Sequence, residues 1–164
     1  MDNFSDTDKF TFQLNLPPAT LKVIKKNSKF QVFDPLRKKY VCLTNEEYVR
    51  QSLVSWLINH LEYPSSLMAN EKGVKLNNTY KRCDTVVFSP MGKPLMILEY
   101  KAPNVKITQD VFNQIVRYFI VLKAPYLVVS NGIEHYCCKM DPYSGNYEFL
   151  NQIPSYSQIK DYLE

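Results

Sequence analysis

Leu95-Met96-Ile97-Leu98 is an unbroken apolar run that stops abruptly at Glu99-Tyr100-Lys101, the pattern of a strand covered on both faces and charged only where it leaves the core. A second apolar run, Thr85 to Phe88, is separated from it by Ser89-Pro90-Met91-Gly92-Lys93-Pro94, a dense turn signal, so the two runs are expected to pair as a hairpin. Folding about Met91 and Gly92 brings Asp84 across the strands from Glu99 and Lys101, and the last two, being two apart, share a face. Upstream, Val49, Leu53, Trp56, Leu57 and Leu61 recur at helical spacing after Thr44 and stop at Tyr63-Pro64; they predict a helix. Downstream, a second helix is predicted from about Thr108 to Leu122, with Val111, Ile115, Phe119 and Leu122 as its core stripe. The order strand, helix, strand from Leu95 to Val129 is a crossover unit, and its two strands should be parallel. Shorter strands are expected at Leu21 to Ile24, Phe30 to Phe33, Lys39 to Leu43 and near Lys72 to Leu76. Residues 1 to 20 are polar and end in Pro17-Pro18, reading as a flexible arm or an added edge segment before a single domain over 21–164.

Length and composition agree with a single compact domain. At 164 residues and 45% hydrophobic content the chain can bury a sizeable core. A net charge of +4 permits contact with nucleic acid without demanding it. Basic residues gather at Lys22, Lys25, Lys26 and Lys29, at Arg37, Lys38 and Lys39, and at Lys72, Lys75, Lys81 and Arg82; any one cluster reads first as a solvated face. Cys42, Cys83, Cys137 and Cys138 show no CxxC spacing and have only His60 and His135 beside them, so zinc is not expected. The two histidines read as structural or solvent-facing, and adjacent Cys137 and Cys138 should point to opposite faces of a strand. With neither a charged leader before an apolar core nor a stretch of spanning length, the chain is expected in the cytoplasm, with reduced thiols and no membrane partner.

The chemistry concentrates on Asp84, Glu99 and Lys101. A bare Glu-x-Lys triplet is common and reads as a surface pair closing a hairpin. Here the triplet ends a buried strand with an aspartate opposite, and two carboxylates beside an ammonium suit a hard, oxygen-loving cation and a phosphate. Gln114 and Tyr118 lie at i and i+4 on a helix face next to the core stripe; taken alone they read as a surface glutamine and a half-buried aromatic. Taken alone, Glu47 in Thr44-Asn45-Glu46-Glu47 has the spacing of a capping-box residue, and Glu71, ahead of a strand, reads as a surface residue.

These residues resemble the PD-(D/E)xK nuclease superfamily, and most closely the N-terminal nuclease domain of type I restriction enzyme R subunits. The resemblance rests on Arg82-Cys83-Asp84-Thr85-Val86-Val87, on Leu98-Glu99-Tyr100-Lys101-Ala102-Pro103, and on Gln114-Ile115-Val116-Arg117-Tyr118 as the Gln-x-x-x-Tyr helix motif. Asn45 to Gln51 and Tyr126 to Gly132 also match, and the whole spans about residues 33 to 139. Cys83 stands where the superfamily has its proline, and nothing resembles the helicase motor of type I R subunits, so translocation is not carried over. The resemblance implies a restriction-endonuclease-like α/β fold, with a mixed central sheet flanked by helices. It implies a DNA endonuclease of a restriction system that uses Mg²⁺ or Mn²⁺, with Asp84, Glu99, Lys101, Gln114 and Tyr118 catalytic. Asp84, Glu99 and the Tyr100 carbonyl would hold the metal, with Glu71 or Glu47 as the candidate additional ligand, and Lys81, Arg82 and Arg117 would meet DNA. The motor, specificity or methyltransferase subunits of such a system are the implied partners. A non-cleaving member that binds nucleic acid or docks to a partner is the alternative.

Overall fold

Strands buried on both faces and one helical crossover build the central layer. The computed structural model describes residues 12–76, 78–141 and 143–162. In chain order its elements are β1 (Val23–Lys26), β2 (Lys29–Asp34), β3 (Lys39–Cys42), α1 (Asn45–Asn59), β4 (Met68–Leu76), β5 (Thr79–Phe88), β6 (Pro94–Tyr100), α2 (Gln109–Leu122), β7 (Tyr126–Ser130), β8 (His135–Met140), β9 (Tyr147–Leu150) and α3 (Tyr156–Ile159). Strands β4 to β9 form a six-stranded sheet in sequence order, and β1 to β3 form a separate three-stranded one. Within the large sheet β6 and β7 run parallel, as the crossover through α2 requires, and the other neighbours are antiparallel. The result is a restriction-endonuclease-like α/β fold: a mixed sheet with helices on both faces.

Two cores flank that sheet. On one face Val49, Leu53, Val54 and Leu57 of α1 meet Leu98, Tyr100 and Val128. On the other, Phe112, Val116, Phe119 and Leu122 of α2 meet Ile97, Leu127 and Val129. Leu95 to Leu98 are fully buried, as the unbroken apolar run requires of a central strand. Cys137 joins the α1-side core and Cys138 the α2-side core; burial pushes both thiols up to about 12, which keeps them protonated.

Thr44 caps α1 by accepting the Glu47 N–H at 3.0 Å, and Thr108 caps α2 through the Val111 N–H at 3.3 Å. The α2 stripe differs from the expected one. Phe112 and Val116 are buried, whereas Val111 is half-buried and Ile115 only packs against the core. The largest apolar side chain sets the phase, because Phe112 inserts among Tyr136, Tyr147 and Phe149 with centroids 5.1–6.1 Å away. The first strand also starts later than expected, at Val23, because Asn27 and Ser28 both take positive φ (48° and 62°) and close a two-residue hairpin directly after Lys26. Residues 1–11 of the expected arm lie outside the described residues. Its Leu14 and Leu16 pack against the α1-side core, and the Asn15 N–H donates to the Gly132 carbonyl at 2.8 Å. Gly132 sits at φ 84°, and a Cβ there would meet Leu14 Cδ2 at 2.7 Å, so this docking uses a conformation and a space that glycine supplies. His135 belongs to the same junction, with Nδ1 2.8 Å from Ser130 Oγ and Nε2 2.8 Å from the Asn15 carbonyl oxygen, a structural role as expected. Among the described residues no helix is long and apolar enough to cross a membrane.

Candidate active site

The β5–β6 hairpin turns at Ser89 to Lys93, with the Gly92 N–H on the Ser89 carbonyl and Gly92 at φ 76°. Its register pairs Thr85 with Leu98, so one step further Asp84 stands across from Glu99. The Tyr100 N–H donates to Asp84 Oδ2 at 2.9 Å, tying the aspartate to the end of β6. The Lys101 N–H donates to the Ser130 carbonyl at 2.9 Å, so the chain stays attached to β7 as it leaves the sheet. Asp84, Glu99 and Lys101 therefore meet at the carboxyl end of β6, the rim on which open α/β sheets place their ligands.

Asp84 also marks a break in the pleat. Cys83 lies in the α2-side core, yet Thr85, two residues on, bonds with Tyr100 and Asn70 on the other side. The β4–β5 ladder skips Glu71 and Asp84, and Glu71 takes φ 54°. This irregularity lets a carboxylate emerge at the sheet end where strict alternation would turn it into a core.

Glu99 is the most perturbed acid of the site. Burial, then the negative charge of Asp84 and a hydrogen bond with it, push the Glu99 carboxyl up to about 8, against the opposing pull of Lys81 and Lys101. Its Oε1 is buried and, among the described residues, has no hydrogen-bond partner. Glu46, at the start of α1, is raised by burial and by Asp84, with Arg50 and Lys101 acting the other way. Glu46 was not singled out from the sequence. Its only signal there is adjacency to Glu47, and helical phase decides between them: the Glu46 side is felt by Asp84 and Lys101, while Glu47 turns into a salt-bridge network.

In that network Glu47 accepts from Arg37 Nη2 at 2.6 Å, Arg50 Nη1 at 3.0 Å and Gln51 Nε2 at 2.9 Å. This corrects the capping-box reading: Thr44 caps the Glu47 N–H, but the Glu47 carboxylate is drawn to two guanidinium groups, stronger partners than a backbone amide. Arg50, 3% exposed, also donates to Glu71 at 2.6 Å, approaches Asp84 Oδ1 at 3.4 Å, and sits 5.8 Å from the Tyr100 ring centroid. Burial would lower the Arg50 pKa, but Glu47, Asp84 and Glu71 reverse that and raise it. Glu71 further pairs with Arg82, so Arg82, exposed as a DNA contact requires, already holds a carboxylate. Beyond Glu47, Arg37 pairs with the fully buried Asp34. Burial raises the Asp34 carboxyl but is outweighed by hydrogen bonds from Asn70 and Arg37, which hold it below its ordinary range.

The remaining expected residues are spread more widely. Gln114 and Arg117 are exposed on α2. Tyr118 is helical, and its side chain lies outside the described residues. Lys81 is half-buried and acts on Glu99, a nearer role than DNA contact alone.

Among the described residues no three His, Cys, Asp or Glu side chains converge as a metal-binding group. The donors present still fit a Mg²⁺-class ion, which binds through one or two carboxylates and keeps several waters. A buried carboxylate oxygen that has no partner among the described residues, beside a second carboxylate, is a donor set that would fit such an ion.

No curated protein matches the chain. A family model described as the type I restriction enzyme R protein N terminus matches residues 45–154, from the first residue of α1 to the segment between β9 and α3. That span is about two thirds of the sequence and includes Glu46, Asp84, Glu99 and Lys101, whereas Asp34 and Arg37 of the supporting network lie ahead of it. The chain belongs to the family of type I restriction enzyme R protein N termini, and so to the components of restriction systems.

Proposed function

We propose that the chain is a metal-dependent endodeoxyribonuclease domain of the PD-(D/E)xK type, using Mg²⁺ or Mn²⁺ to hydrolyse phosphodiester bonds in DNA. The observation that carries this reading is the pairing of Asp84 with a half-buried Glu99 whose Oε1 is itself buried and, among the described residues, has no hydrogen-bond partner, at a strand end that also presents Lys101. Asp84 and Glu99 would hold the ion with the Tyr100 carbonyl, and Glu46 is better placed than Glu47 to join them. The ion supplies charge neutralisation of the phosphoryl oxygens and a bound water of lowered pKa. Lys101 orients the attacking water and offsets charge on the phosphate, and Lys81 adds a second ammonium next to Glu99. By the same resemblance Gln114 and Tyr118 of α2 would assist the site. Arg50 pairs with Asp84 and holds Glu71 in place on the opposite side. DNA is then the substrate, and the motor, specificity or methyltransferase subunits of a restriction system are the partners.

One observation favours the second reading, a non-cleaving member that binds nucleic acid or a partner: the Arg50 guanidinium near Asp84 Oδ1 already supplies part of the positive charge an ion would bring. Plasmid nicking in Mg²⁺ and Mn²⁺ by the parent chain and by Asp84→Ala, Glu99→Ala and Lys101→Ala decides between the two. Cation-dependent nicking lost in all three folded variants supports the nuclease. DNA binding with no nicking in either ion selects the second reading.

A further inference from the structure

The positive excess of this chain is collected in the three-stranded sheet, ahead of the residues that the family model matches. Between residues 21 and 43, Lys22, Lys25, Lys26, Lys29, Arg37, Lys38 and Lys39 stand against Asp34 alone, a net +6 where the whole chain carries +4. Arg37 is consumed by Asp34 and Glu47. The six lysines are all exposed, and among the described residues none has a carboxylate partner.

Register sorts the sheet into two faces. Val23, Val32 and Val41 pair across it, with Val32 and Asp34 fully buried on that side. The opposite parity presents Lys26, Lys29, Ile24 and Tyr40 to solvent. The Lys22 ammonium lies 5.7 Å from the Phe33 ring centroid, and that ring meets Tyr40 at 5.3 Å. Lys26 and Lys29 are direct partners across the Asn27-Ser28 turn. Like charges directly opposite weaken a strand pair, so this arrangement costs the free protein stability that a polyanion would restore. The sheet is also braced to the site. Asn70 donates to Asp34 at 2.9 Å, Thr85 to Asn70 at 2.6 Å and Tyr100 to Thr85 at 2.9 Å, all buried, linking β2 through β4 and β5 to β6.

We propose that the outward face of the β1–β3 sheet binds the phosphate backbone of duplex DNA without reading its bases, and so holds substrate for the site at the end of β6; this rests on the nuclease reading above. Lysines on an aromatic-studded sheet supply point charges for phosphates, whereas the half-buried Arg37 and the buried Arg50 are committed to carboxylates.

The test is fluorescence anisotropy of the full chain with a labelled duplex oligonucleotide in EDTA, over a series of KCl concentrations. Each lost phosphate contact lowers the slope of log K against log salt by about 0.9, so Lys22→Gln/Lys26→Gln/Lys29→Gln should lower it by about 2.7 and weaken binding by about tenfold or more. Lys29→Gln alone should lower the slope by about 0.9 while melting no lower than the parent, because it removes a like-charge pair. The equal-charge control Lys93→Gln/Lys123→Gln/Lys160→Gln should keep the parent slope. Equal losses in both triple variants, unchanged binding in the first, or a parent that binds phosphatidylserine vesicles but not the duplex would each overturn the proposal. Nicking in Mg²⁺ is read separately. Surface-dependent binding without nicking supports this proposal and removes the nuclease reading alone, whereas nicking with an unchanged slope in the first variant removes this surface alone.

Discussion

Two groups of acids share one end of the central sheet and are treated in opposite ways. Glu47 and Glu71, on the α1 side, have their carboxylates engaged by Arg37, Arg50 and Arg82. Glu99, one strand beyond Asp84, has a buried oxygen with no partner and a carboxyl pushed up to about 8. Asp84 lies between them, touched by Arg50 on one side and by Glu99 on the other. Acids that the fold neutralises for itself are part of its framework, whereas acids left in mutual repulsion need something from outside. The same contrast separates Glu46 from Glu47: adjacent in sequence, they stand in different electrostatic surroundings.

The strongest way to break this contrast is through the chemistry. Lys101→Ala should lower nicking by about 10²–10⁴-fold, the range for a group that handles a proton or orients the attacking water, while the melting temperature barely changes. Plasmid nicking beside calorimetry reads both, and undiminished nicking would take Lys101 out of the site.

Next comes the framework. Arg50→Ala leaves Glu47, Glu71 and Asp84 without their shared cation and should destabilise the fold by about 3–5 kcal/mol, measured by urea unfolding. A change under about 1 kcal/mol would mean that Arg37 and Arg82 carry the network without it.

Glu99→Gln should act with the opposite sign. The folded carboxyl is raised above its unfolded value, so its stability contribution is full below about 4.5 and is lost as pH rises toward about 8. In metal-free buffer the variant should therefore gain on the parent between pH 5 and pH 8, with about 2–4 °C in Tm for each kcal/mol of repulsion removed. A gain that did not grow with pH would dissolve the distinction between the two groups. With Mn²⁺ present the parent should recover the difference, because binding to the folded state stabilises it.

The smallest stability effect is expected at Gln114→Ala. An exposed truncation moves stability by under about 0.5 kcal/mol, so a clear loss of nicking would assign the side chain to function. Phe112→Ala is the packing control on the same helix, at about 3–5 kcal/mol.

How far the chain could be read before folding depends on whether a residue's partners are local. The hairpin over Thr85 to Leu98, the Thr44 and Thr108 helix starts, the parallel crossover and the opposition of Asp84 to Glu99 are all legible, because a turn, a cap or a period of two fixes each within a short stretch. The phase of α2 differs by one position from the expected stripe, since Val111 with Ile115 and Phe112 with Val116 fit the helical period almost equally and only the aromatics of β8 and β9 decide between the two pairs. For Glu47 the sequence leaves cap and ligand open for a related reason. Its capping-box spacing is local, but the guanidinium groups that claim it come from the small sheet and the next turn of α1.

The sequence by itself determined that two carboxylates and a lysine would gather at the end of a buried strand, because strand period and turn position are properties of neighbouring residues. Only the tertiary structure decided which acids are neutralised and which are left in need of a cation. Arg37, Arg50, Glu71 and Asp84 come from β2–β3, α1, β4 and β5, and a charge's cost or comfort is set by burial and by whatever the fold places within a few ångströms of it.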